Sequence, residues 1–79
     1  MIYFLRRGDA SLTCETRLGP NGDEYELVVT DGGGRRVETF GTVAAMLARE
    51  HDLLAGWRAQ GWQDVTPVRP AASRGGWKL

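Results

Sequence analysis

One stretch, Thr42 to Trp62, carries a helical period, and it limits what the rest of the chain can build. Stepping 100° per residue from Val43 brings Leu53, Met46, Trp57, Val43, Leu54 and Leu47 into an arc of about 120°, the width of a core-facing stripe. The opposite side carries Ala45, Ala48, Asp52, Ala55 and Ala59, all small or polar. Thr42 is placed to cap the first turn with its hydroxyl. Gly61 suits the left-handed residue that follows a helix, which would bring Trp62 back against Trp57 in a Schellman ending. Gly56 inside the helix costs about 1 kcal/mol relative to alanine, so the stripe must outweigh it. A single amphipathic helix cannot bury its own stripe; the preceding residues must supply the surface.

Glu50 lies in the middle of that stripe, one turn from Met46, Leu47, Leu53 and Leu54. A carboxylate there has to find a partner, reach the rim or take up a proton. A structural ion pair with a sheet arginine is the simplest expectation. If the chain carried out chemistry, Glu50 and the neighbouring His51 would be the first residues to replace.

Before the helix the period is two. Ile2 to Arg7 reads as a strand with Ile2 and Phe4 on one face and Tyr3 and Leu5 on the other, apolar on both. Gly8-Asp9-Ala10 reverses the chain. Leu12 to Leu18 then alternates Leu12, Cys14 and Leu18 inward with Thr13, Glu15 and Arg17 outward. Gly19-Pro20-Asn21-Gly22-Asp23 is a dense hairpin signal. Glu24 to Thr30 follows, with Tyr25, Leu27 and Val29 opposite Glu24, Glu26 and Val28. Asp31-Gly32-Gly33-Gly34 turns again into a fourth strand, Arg35 to Phe40. A phosphate-cradling glycine loop needs a strand before it and a helix after it; strands flank this one on both sides, so it reads as a hairpin turn. Glu15, Arg17, Glu24, Glu26, Arg36 and Glu38 read as cross-strand charge pairs on a solvated face. The expected fold is α+β: a four-stranded antiparallel meander, β-β-β-β-α, with one C-terminal helix packed on one face and an extended tail beyond it.

Residues 1–63 form the expected domain and 64–79 the tail, extended or flexible and basic. From Val65 onward the chain has Arg69, Arg74 and Lys78, no acid, two prolines and a Gly-Gly pair. Trp77 in that tail is a candidate anchor on this domain or on a second copy.

At 79 residues, about 60–65% of the unfolded surface is buried on folding, so stability is marginal without a staple or a partner. Cys14 is the sole cysteine and His51 the sole histidine, which excludes an internal disulfide and any multi-cysteine zinc site; no metal and no cofactor are expected. No apolar run approaches the ~20 residues of a membrane span, and the start MIYFLRRGD has no leader pattern. A cytoplasmic protein is expected.

Ten basic and ten acidic side chains cancel, with nine of the basic ones arginine. General polyanion binders carry a positive excess instead. The meander nevertheless gathers Arg6, Arg7, Arg35, Arg36 and Arg58 at one edge beside Trp57 and Trp62, a pattern suited to phosphate and unpaired bases. The order of four strands followed by a helix resembles the Whirly and transcriptional-coactivator type of single-strand DNA-binding domain, which works as a dimer or higher assembly. The resemblance lies in topology, and no motif residues of that family accompany it. No serine–histidine–acid spacing is present, so catalysis is not expected. The leading expectation is a non-catalytic domain for protein–protein interaction or homodimeric self-association; the alternative is a single-stranded nucleic-acid module using the arginine edge and tail.

Overall fold

In a computed structural model, which describes residues 1–66, five strands and one helix follow in the order β1 (Ile2–Arg7), β2 (Ala10–Leu18), β3 (Tyr25–Asp31), β4 (Gly34–Phe40), α1 (Val43–Ala59) and β5 (Gln63–Asp64). The first four make the antiparallel meander. The fifth adds itself outside β1, giving the spatial order β4-β3-β2-β1-β5. The tail expected from residue 64 is described only as far as Thr66, and the rest of it, with Trp77, lies outside the described residues.

The turns are set where the sequence marks them. Arg7 pairs with Ala10 around Gly8-Asp9, and Gly8 takes a φ of 60°, the positive value a tight hairpin demands of its first central residue. Gly32-Gly33 closes the β3–β4 hairpin between paired Asp31 and Gly34, with the Asp31 carboxylate accepting from the Gly33 N–H at 2.8 Å. The triple glycine is therefore a hairpin turn.

The helix begins at its cap: Thr42 Oγ1 accepts from the Ala45 N–H at 3.1 Å. It ends in a full Schellman motif. Gly61 has φ 94°, Trp62 N–H donates to the Trp57 carbonyl at 3.0 Å, and Gly61 N–H donates to that of Arg58 at 3.1 Å. This reversal aims the chain back along β1. Asp64 pairs with Leu5, Val65 N–H donates to the Phe4 carbonyl at 2.7 Å, and Phe4 N–H donates to Thr66 Oγ1 at 3.0 Å. The fold thus continues past residue 63 to at least Thr66. Gln63-Asp64 has no apolar alternation, so nothing in its composition announces a strand.

Two apolar clusters join helix to sheet. Cys14, Leu27, Val29 and Met46 form one, with Tyr3, Tyr25, Phe40, Leu53 and Trp57 around it. Leu5, Leu12 and Leu54 form the other, with Tyr3, Trp57 and Trp62 against it. Both tryptophans of the helix ending therefore seal the second cluster.

Three placements differ from expectation. Val43 and Leu47, assigned to the buried stripe, are 47% and 48% exposed. The helix sits over β3 and β4, with Arg49 on its β4 side bonded to Glu38. The flank carrying Leu47 therefore faces away from β4, where no described element covers it, while Met46, Glu50 and Leu54 form the row pressed to the sheet. Leu18 shares the face of Cys14, opposite Tyr25, as expected, but at the end of β2 it is exposed. Arg36 and Glu38 lie on the helix face, opposite Val29 and Leu27, so Val37 points outward beside Val28. The two-residue turn dictates this, because a strand's register decides its faces.

Candidate functional site

The charged residues are brought together only in part. Arg7 lies over the Trp62 ring at 5.0 Å and donates to the Gln60 carbonyl at 3.2 Å. Arg58 approaches Asp64 at 3.6 Å, so these residues meet where the helix ends and β5 begins. Hydrogen bonds from Thr66 and the nearby Arg58 charge hold the Asp64 carboxyl below its usual range. Arg35 and Arg36 sit at the same end of the sheet but on β4, three strand spacings from β1, about 14 Å away. Asp9 and Asp31 stand in the cleft between the two hairpin tips, with Trp62 on its wall. Arg36 faces Asp31 at 4.0 Å. Arg6 and Arg35 point to the outer face, and neither forms an ion pair with another described residue. The arginine edge is thus two separated groups with carboxylates between them.

Glu50 is buried, 6% exposed, between Met46 and Leu54, and its Oε2 has no hydrogen-bond partner among the described residues. Desolvation raises its pKa, with the Met1 ammonium pulling the other way. The expected sheet arginine is absent from its surroundings: Arg49, the nearest helical candidate by sequence, is turned to Glu38 instead. Cys14, fully buried, has its thiol pushed up to about 11 by burial and by the charges of Glu50 and Glu38. It is a packing residue, since only the thiolate attacks. His51 is exposed while Glu50 is buried, so these two candidates for chemistry are not aimed at one place. No group of three or more metal-ligating side chains occurs among the described residues.

The outer face of the sheet is a feature that counting charges missed. Register places Ile2, Glu15, Val28 and Val37 in one row across four strands. The next row runs Phe4, Thr13, Thr30, Arg35, with Val65 beside Phe4. Ile2, Phe4, Val37 and Val65 are 36–47% exposed, whereas Val28, between Glu15 and Val37 in the row, is buried. No described element lies over this face. Among the described residues, the cross-strand pair Arg17–Glu26 at 2.8 Å fastens it. The sequence signal was present in the two apolar faces of β1; the missing part was Val37, assigned inward by the alternation of its charged neighbours.

Comparison with known proteins returns no matching family model, no matching curated protein and no matching solved structure. No helix among the described residues is long and apolar enough to cross a membrane.

Proposed function

We propose that this chain is a small non-catalytic domain that works in the cytoplasm by protein–protein contact, with self-association as its primary mode. The observation that carries the reading is the exposed apolar side chains Ile2, Phe4 and Val65 on one side of Glu15 and Val37 beside the buried Val28 on the other, on a face that no described element covers. A sheet with one face packed and one face free normally makes the free face polar. Large apolar side chains exposed on such a face, here in two groups on either side of Glu15 and Thr13, mark a surface meant for another protein. The small core supports the same reading, because burying the second face offsets the marginal stability of a chain this short.

A second reading is a single-stranded nucleic-acid module. It is favoured by Phe4, exposed in the row that ends at Arg35, with Arg6 two residues along the same strand. An exposed aromatic ring with an arginine on the same face of an open sheet is a platform for a stacked base. The zero net charge and the interposed Asp9 and Asp31 weigh against it.

Sedimentation at low and high salt, with and without a short mixed-sequence oligonucleotide, separates the two. The expected result is a salt-tolerant dimer unmoved by the oligonucleotide. A strict monomer at high concentration would remove the self-association reading. A salt-sensitive complex with the oligonucleotide, lost on replacing Arg6 and Arg35, would establish the second.

A further inference from the structure

We infer that two copies of this chain join edge to edge through β4, antiparallel about a two-fold axis at Val37, into one continuous ten-stranded sheet; this rests on the self-association reading and specifies its contact. The two sheet edges are unlike. β5 guards β1, whereas β4, seven residues long, pairs among the described residues only with β3 and is their long open edge. Proteins normally blunt such an edge with charged side chains, lysine above all, with proline or with a bulge. β4 has no lysine and no proline, its pairing with β3 runs unbroken from Asp31↔Gly34 to Tyr25↔Phe40, and its charges, Arg35, Arg36 and Glu38, are of both signs, so they repel a second copy in some registers and match it in another.

The hairpin determines which groups the edge offers. Asp31 and Gly34 close a two-residue turn, so they form a hydrogen-bonded pair, and such pairs alternate along an antiparallel ladder. Gly34, Arg36, Glu38 and Phe40 therefore direct their N–H and C=O groups at β3. Arg35, Val37 and Thr39 direct theirs outward, where no described backbone group answers them.

Charge then selects one register. Centred on Val37, the pairing sets Val37 against Val37, Arg35 against Thr39 and Thr39 against Arg35, each pair exchanging backbone bonds, about six in all. Arg36 falls opposite Glu38 of the second copy, twice by symmetry. These are non-hydrogen-bonded pairs, in which side chains approach most closely. Both residues are on the helix face, and Glu38 already accepts from Arg49 at 3.0 and 3.2 Å, so each Glu38 would sit between two guanidiniums. Centring on Arg35, Arg36 or Glu38 sets like charges directly opposite, which destabilises. Centring on Thr39 forfeits the Arg36–Glu38 match. In the favoured register the two outer rows meet at Val37 and run on as one.

Sedimentation of three variants beside the parent chain tests this. Val37→Pro removes an edge-facing N–H that the β3–β4 ladder does not use, and proline is tolerated on such an edge; a folded monomer is expected, with far-ultraviolet circular dichroism unchanged. Arg36→Glu and Glu38→Arg each set like charges opposite and are expected to weaken self-association about tenfold or more. Mixed together, the two charge variants are complementary at both pairs, so the mixture is expected to dimerise where neither does alone. If Val37→Pro fails to fold, the mixing experiment decides. A parent dimer that survives the charge variants unchanged, or a mixture that gains nothing, overturns the β4 edge and leaves self-association through another surface standing. A parent chain that is monomeric at high concentration overturns both.

Discussion

Replacing Glu50 with leucine is expected to stabilise the protein near neutral pH. The side chain lies on the helix row that meets the sheet, 6% exposed, and one carboxylate oxygen has no partner among the described residues. A buried polar group left unsatisfied costs about 1–3 kcal/mol, and an apolar side chain of similar size in its place contributes about 1.5–3 kcal/mol of burial. Imperfect repacking of a branched side chain removes up to about 1.5 kcal/mol. With the smaller value of each gain and the full repacking loss, the net is still about 1 kcal/mol at pH 7, which for a domain of this size raises Tm by about 4–8 °C at the least. The pH dependence has a definite sign. Desolvation raises the folded pKa above the unfolded value of about 4.3, so folding favours the protonated acid. The parent is penalised least below that unfolded value. It loses stability as pH rises from there through the raised folded value, and is level above it. Leucine has no such dependence, so the gap between variant and parent should widen from pH 4 to pH 7. Glu50→Gln should recover only the pH-dependent part, because an amide in that position still lacks partners. Urea unfolding followed by tryptophan fluorescence reads the effect directly, since Trp57 and Trp62 pack against the core. A Glu50→Leu protein less stable than the parent at pH 7, or a gap that does not change with pH, would refute the reasoning and mark the carboxylate as partnered.

Two further expectations concern the helix ending and the thiol. Gly61→Ala should lower stability by about 1 kcal/mol, seen as a fall in Tm of about 4–8 °C, because alanine resists the φ of 94° there while the space is open apart from the Arg7 chain. Cys14 should resist alkylation by iodoacetamide at pH 8 in the folded protein and react promptly in urea, since its thiol is fully buried and pushed up to about 11. Modification at a rate independent of urea would mean that the sheet opens around it.

Local signals were the legible ones. Thr42 and Gly61 mark the helix ends because a cap and a reversal each depend on one residue's chemistry. The glycine-rich turns mark the hairpins for the same reason. The carboxylate of Glu50 was recognisable as buried from its position in the stripe. Tertiary placement was not legible. Leu47 reads as buried on a wheel, yet the helix is seated over β3 and β4, and a wheel carries no information about where a helix lands. Arg36 and Glu38 alternate as a solvated face would, but a turn of two residues put them on the face that the helix packs against and sent Val37 outward. The arginines split into two groups because β2 and β3 lie between β1 and β4, a consequence of strand order. Gln63-Asp64 became a strand through the direction in which Gly61 releases the chain, with no help from its own composition.

That fifth strand has a consequence for the order in which the fold can assemble. Both tight hairpins need only neighbours, and contacts of short sequence separation form early. The Phe4–Thr66 bond spans 62 positions, so the outer edge of β1 must wait until the residues after the helix have been synthesised. A nascent chain therefore holds two open sheet edges, and the helix reversal that sends Gln63 to Arg6 is the step that leaves only one. Slowing that reversal would lengthen the interval in which β1, apolar on both faces, is open to other chains emerging beside it.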